Sequence, residues 1–284
     1  MLRKGDLTQG GITTTLLQFT LPMLAGSLLQ QCYNIADTLI VGQCIGTNAL
    51  AAVGSAYTLM VFLISILLGL SMGSGTVFSL QYGAGDLSAL RRSIYVSFLL
   101  IGTVTILLNV AVFLWLDPIL RWLQVPYDVY PLMRNYLWII FWGIVFTFLY
   151  NFYAALLRAV GDSVTPLWFL AVSVVLNIGL DLFLILVLDQ GIEGTAVATV
   201  IAQGTAASGI LLYTYKTRPE LRLHREDMCF DRSSLREITS FSTLTCVQQS
   251  VMNFGILMVQ GLVNSFGTVV MAAFAAAVKI DSFA

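Results

Sequence analysis

Long apolar runs, separated by short polar turns, occupy most of the chain. A run of about 20 apolar residues is long enough to cross a bilayer as an α-helix, and a helix satisfies its backbone hydrogen bonds within the segment. The pattern therefore predicts an all-α, polytopic membrane protein. The predicted helices cover residues 14–41, 49–82, 91–116, 130–157, 164–188, 194–215 and 236–264, and a last one begins near residue 268.

One charged stretch divides this apolar pattern. We predict a six-helix transmembrane lobe at residues 1–215, a charged cytoplasmic connector at 216–235 and the start of a second lobe at 236–284. The spacing of Gly, Thr and Ala at residues 46–56 recurs at 267–277, which suggests a parallel repeat of the six-helix unit. The final apolar segment is short for a crossing, so we expect a chain truncated from a protein of about 12 helices.

Composition and charge distribution agree with a membrane location. Hydrophobic residues make up 58% of the chain and charged residues 10%, against roughly 25% charged residues in soluble domains. The net charge of −1 gives no basis for a nucleic-acid partner. With the N-terminus inside, the inner segments hold eleven Lys and Arg residues and the outer loops hold Arg121 and Arg134. We therefore expect a multi-pass protein of the cell membrane with a cytoplasmic N-terminus.

The first predicted helix carries an unusual polar stripe. Gln30, Asn34 and Asp37 fall at i, i+4 and i+7, with Tyr33 beside them, so one side of the helix is polar. A carboxylate at the centre of a membrane helix costs roughly 2.5–3.5 kcal/mol and usually faces a protein interior or a water-filled cavity. The stripe predicts a cavity-lining surface, and hydrogen bonding between packed helices is the alternative.

Helix-breaking residues predict departures from a straight helix at three places. Pro22 removes one backbone hydrogen bond from the first helix, and the resulting bend is either a hinge or a static kink. The second helix is long for one straight crossing and contains the glycine-rich segment GLSMGSG at 69–75, so we expect it to bend or tilt there. Three prolines and several aromatic residues at 116–131 predict a partly helical loop at the membrane surface.

A second set of polar residues lies in the fifth and sixth predicted helices. Asn177 and Asp181 are four residues apart and share one face, and Thr199 belongs to a Thr and Gln stripe that is also typical of helix packing. At 1.5 Å per residue, Asp37, Asp181 and Thr199 all lie roughly 8–12 Å below the outer face. Two carboxylates at one depth share a proton or, with Asn and Thr oxygens, hold a dehydrated Na⁺.

Several motifs in order resemble one transporter family. LPMLAGSLLQQCYNIADTLIVG, GTNALAAVGSA, QYGAGD, LLRAVGDSVTP and NIGLD are similar to the N-terminal lobe of the multidrug and toxic compound extrusion (MATE) transporters. The resemblance implies two six-helix lobes around a central cleft, alternating access, and antiport of organic cations or amphiphiles against H⁺ or Na⁺. It implies no other cofactor, and we expect a monomer.

The resemblance also assigns roles to residues of this chain. It implies that Asp37, Asn177, Asp181 and Thr199 form the cation- or proton-binding group. Gln30 and Tyr33 match positions that line the cavity of the N-terminal lobe, and the stripe adds Asn34 to them. Pro22 matches a proline at which the first helix is proposed to bend.

Other functions fit the sequence less well. The four cysteines show no CxxC spacing and His224 is the single histidine, so Na⁺ at the cation group is the sole metal considered. An enzyme is not expected, because the predicted spans contain no HExxH, GxGD or Ser/His pair. The remaining alternatives are a flippase of lipid-linked precursors or polysaccharides from the same superfamily, and a membrane scaffold that does not transport.

Overall fold

The chain folds into packed α-helices, which confirms the all-α prediction. A computed structural model describes residues 12–224, 227 and 231–281, and every regular element among them is helical. The helices are α1 (Ile12–Cys44), α2 (Thr47–Gly83), α3 (Leu87–Trp122), α4 (Tyr130–Trp142), α5 (Ile144–Ala159), α6 (Val164–Leu186), α7 (Gly191–Thr217), α8 (Arg232–Asn264) and α9 (Thr268–Asp281), with a 3₁₀ turn at Pro219–Leu221.

Most of these helices have the length and composition of membrane spans. Within the described residues, α2, α3, α6, α7 and α8 are long and apolar enough to cross a membrane, and the bent pair of α4 and α5 passes the same test when the two helices are taken together. The 33 residues of α1 are also long enough to cross a bilayer. Its length agrees with the predicted span at 14–41.

The predicted single helix at 130–157 is wrong, because the chain breaks at Gly143. There α4 and α5 meet at an angle of 48°, and the Gly143 N–H bonds to the Ile140 carbonyl at 2.8 Å instead of the carbonyl four residues back. The Asn109 side chain on α3 donates to the Phe141 carbonyl at 2.6 Å. The apolar pattern continues through Gly143 and has no proline near it, so it gave no sign of this break.

The glycines at 69–75 do not interrupt α2, which is helical from Thr47 to Gly83, and the bend or tilt there stays a prediction. They allow α8 to approach closely. A Cβ on Gly69 would lie 2.4 Å from Cys246 Cα, and a Cβ on Gly73 would lie 2.3 Å from Ser242 Cα. At the other end of the same interface, a buried hydrogen-bonded network joins the two helices through Ser55, Thr58, Gln260 and Asn264. The contact between α2 and α8 therefore extends along most of both helices.

Polar contacts hold the start of the predicted connector against α1–α7. Arg218 pairs with Asp162 at 3.2 Å, and Arg91 donates to the Glu220 carbonyl at 3.0 Å. At the far end, the hydroxyl and amide groups of Ser233 and Ser234 donate to Asp231 and hold the pKa of that carboxyl well below its usual range. This N-cap fixes where α8 begins. The domain boundaries at 215 and 235 stay predictions.

We predict that Gly73→Ala destabilises the fold. The added Cβ meets the Ser242 backbone, which cannot move aside like a flexible side chain, and overpacking of this kind costs about 1–3 kcal/mol. Gly75→Ala is the matched control in the same helix, because its Cβ makes ordinary contacts at 3.6 Å with Ala155. Thermal unfolding of the detergent-solubilised protein measures both. Equal melting temperatures for the two variants would contradict the close α2–α8 contact.

Candidate functional site

A buried carboxylate lies at the centre of the site. Asp181 on α6 is 0% exposed, and Asn177 lies one turn before it at 2% exposure. In the amide orientation that satisfies its neighbours, Asn177 Nδ2 donates to Asp181 Oδ2 at 2.9 Å and Oδ1 lies 3.3 Å from Thr199 Oγ1. Asp181 Oδ1 is buried and has no hydrogen-bond partner among the residues that the structure describes. A buried acceptor of this kind is unfavourable unless a proton or cation satisfies it.

Helices α1, α6 and α7 are neighbours at this level. The Tyr33 hydroxyl on α1 lies 3.5 Å from the hydroxyl of Thr199 on α7, which in turn neighbours Asn177 on α6. Further along, Gly26 of α1 faces Leu167 and Leu170 of α6 at ordinary contact distances. The structure thus brings side chains from three separate helices to one place.

A second carboxylate shares the same surroundings. Asp37 follows Tyr33 by one turn of α1 and shares its face of the helix, where the Tyr33 hydroxyl lies 3.5 Å from Thr199. Asp37 therefore lies on the side of α1 that faces Asp181 and the Tyr136 hydroxyl. Two like charges in a medium of low dielectric repel strongly, whereas a proton or a cation between them relieves that repulsion. The charge arrangement therefore favours a site that takes up positive charge.

Three of the predicted site residues lie apart from this group. Asn34 is buried, and its amide donates to Gln31 Oε1 at 2.9 Å and lies 3.4 Å from the Tyr57 hydroxyl on α2. Gln30 is exposed on α1. Pro22 lies about four turns from Asp37 within a helix that runs continuously through it, so its role as a hinge stays a prediction.

Sequence reasoning missed Tyr136 on α4. The residue is 5% exposed and its hydroxyl interacts electrostatically with Asp37, Tyr33 and Asp181. In the sequence it lies within an apolar run and looks like a core aromatic residue. The available signal was chemical, because a buried tyrosine hydroxyl usually needs a polar partner.

The donor set determines which ligands the site can take. It offers two carboxylates, an amide oxygen and hydroxyl oxygens, which are hard donors suited to Na⁺ and to protons. All of these side chains come from helices α1, α6 and α7. The group consists of Tyr33, Asp37, Asn177, Asp181 and Thr199, with Tyr136 beside it, and we call it the oxygen cluster.

Comparison with known proteins assigns the chain to a family. A sequence model of the MatE family matches residues 22–183, which is more than half of the chain. The chain belongs to the MatE family. The matched region of this MatE protein contains both carboxylates of the oxygen cluster, while Thr199 lies beyond it.

Individual relatives and a solved structure agree with this assignment. The probable multidrug resistance protein YpnP of Bacillus subtilis (strain 168) is 34% identical to this MatE chain, over 98% of the chain and 62% of YpnP. YoeA of the same organism is 29% identical, over 93% of the chain and 59% of YoeA. The chain thus spans about three fifths of the length of these relatives. The structure of the MATE multidrug transporter DinF-BH matches all of the chain and 64% of that protein, with a TM-score of 0.90 and 24% identity. This likeness shows the fold.

We predict that Asp181→Asn raises thermal stability in a buffer free of Na⁺ at pH 9, where carboxylates are driven to ionise. The new amide oxygen still accepts a hydrogen bond from Asn177, and the substitution removes one of two neighbouring negative charges. An effect of about 1 kcal/mol corresponds to a rise of roughly 2–4 °C in melting temperature. Asp117→Asn is the control, since it removes a carboxylate that pairs with Arg134 at 2.8 Å. A larger loss of stability for Asp181→Asn than for Asp117→Asn would mean that the Asp181 charge is well compensated.

Proposed function

We propose that the full-length protein containing this chain is a secondary active multidrug exporter that antiports its substrate against H⁺ or Na⁺ by alternating access. The observation that carries the proposal is Asp181, fully buried, with one oxygen lacking a hydrogen-bond partner in the described part of the chain and the Asp37 charge nearby. YpnP and YoeA are probable multidrug resistance proteins, which supports the same function.

Ion binding acts on the position of α1. Asp37 and Tyr33 lie on α1, whereas Asp181 and Asn177 lie on α6 and Thr199 on α7. An ion or proton held between the two carboxylates draws α1 towards α6 and α7, and its release restores the repulsion. Movement of α1, with Pro22 as the point where it bends, couples the ion gradient to a change in the substrate cavity.

The substrates are organic cations or amphiphiles of small size. An anionic site that binds either an ion or a cationic substrate, but not both, produces antiport directly. The exposed Gln30 side chain on α1 lines the path that such a substrate takes. The protein works as a monomer in the cell membrane with its N-terminus in the cytoplasm, and it needs no cofactor besides the coupling ion.

Efflux from vesicles tests this function. The full-length protein is reconstituted, and export of a fluorescent organic cation is followed with a Na⁺ gradient and a pH gradient imposed separately. One of the two gradients should drive export by the wild type. Asp37→Asn and Asp181→Asn should each reduce export to the level of protein-free vesicles, because each removes a charge needed for coupling.

Asp189→Asn provides the matched control. Asp189 lies in the turn between α6 and α7 at a φ of 51°, a conformation that Asn tolerates well. This variant should export at the wild-type rate. Wild-type export that needs neither gradient, or full export by both site variants, would contradict the proposed coupling and favour a flippase. Absence of export with intact folding would favour the scaffold.

A further inference from the structure

The bent helix pair of α4 and α5 runs alongside α7 in a regular register. Asn135 Nδ2 donates to Glu193 Oε1 at 2.9 Å near one end. Thr147 Oγ1 donates to Gln203 Oε1 at 2.5 Å beyond the break. Between these two hydrogen bonds, Gly143 lies against Val200. The two helices that flank the break are thus held against one straight helix on both sides of it.

At Gly143 the contact leaves no space for a side chain. A Cβ there would lie 2.8 Å from Val200 Cγ2 and 3.1 Å from the Ile140 carbonyl oxygen. Backbone conformation is not the reason for glycine, because φ is −81° and ψ is −10°, values that any residue adopts. What the position requires is close approach of α7.

The break is also supported from α3. Ending α4 at Trp142 leaves carbonyl groups without their usual partners four residues on, and Asn109 donates to one of them, Phe141, at 2.6 Å. In an apolar environment an unsatisfied carbonyl is costly, so this hydrogen bond stabilises the bent form. Neither Asn109 nor Gly143 belongs to the oxygen cluster.

Each residue of the Gly143–Val200 contact lies close in sequence to a residue at the oxygen cluster. Val200 follows Thr199 directly on α7. Tyr136 precedes Gly143 by seven residues, about two turns, and so lies on the same face of α4. A shift at the Gly143–Val200 contact therefore moves Thr199 and Tyr136 relative to each other.

We infer that Gly143 and Asn109 are positioning residues for the ion site, because the break sets the register of α4 on α7 that brings Tyr136 and Thr199 to the two carboxylates. The inference rests on the proposed function. It makes the ion affinity depend on the contact between Gly143 and Val200, two residues that do not belong to the oxygen cluster.

Substitutions at the contact test the inference in the full-length protein. Gly143→Ala should weaken the apparent affinity for the driving ion in vesicle efflux by about 10-fold or more, as loss of supporting residues does at metal sites. Gly143→Ala combined with Val200→Ala should restore that affinity, because it removes the methyl group with which the new Cβ collides. Gly204→Ala is the matched control, since its Cβ meets Phe146 in the same interface at an ordinary 3.5 Å.

A second variant tests the inference if Gly143→Ala does not fold. Asn109→Leu adds no bulk at the α7 contact but leaves the Phe141 carbonyl without its donor, and it should also weaken ion affinity while maximal export at saturating ion is retained. The inference is overturned if folded Gly143→Ala or Asn109→Leu binds the ion within about twofold of wild type, an effect too small for a supporting residue, or if Val200→Ala restores nothing. If export by the wild type does not depend on the ion, both the proposed function and this inference are overturned. If the wild type depends on the ion but the variants bind it as the wild type does, only this inference is overturned.

Discussion

Repulsion between the buried carboxylate of Asp181 and the half-buried carboxylate of Asp37 is the interaction on which the function proposed for this protein depends. Asp181 is fully buried, and its charge is not matched by a cationic side chain in the hydrogen bonds that the described residues make around it. Asn177 satisfies one of its oxygens, and the neighbouring Asp37 adds a second negative charge. Leaving a buried carboxylate oxygen without a partner is costly, so packing alone does not account for this arrangement. The uptake and release of a positive charge proposed above would account for it.

The remainder of the fold builds this site from two parts of the helix bundle. Helices α6 and α7 pack together and supply Asn177, Asp181 and Thr199. Asp37 and Tyr33 come from α1, which carries the polar stripe. Elsewhere, close packing of α8 on Gly69 and Gly73 joins α8 to α2. Asp37 therefore lies on α1, whereas α8 packs against a different helix, α2.

Local regularities made much of the fold predictable from sequence. Apolar runs located the helices, and the four-residue spacing of Asn177 and Asp181 placed them on one face whatever the surroundings. The roles of individual residues came from the resemblance to the MATE family.

The sequence pattern could not predict the effects of neighbouring helices. The break at Gly143 depends on Asn109 and Val200, which are distant in sequence. Gly69 and Gly73 indicated a bend or tilt because glycine weakens a helix, but the sequence around them gave no sign of the close approach of α8. Tyr136 was missed for the same reason, since an apolar neighbourhood in sequence concealed polar neighbours in space.

Ion-dependent thermal stability tests the shared site most directly. Melting temperatures of the full-length protein are measured while the driving ion is titrated at constant ionic strength, for the wild type, Asp37→Asn, Asp181→Asn and the double variant. If one ion is held between both carboxylates, the wild type is stabilised by the ion, each single variant loses the whole effect, and the double variant loses nothing more. Partial losses that add up in the double variant would instead show that the two carboxylates act independently.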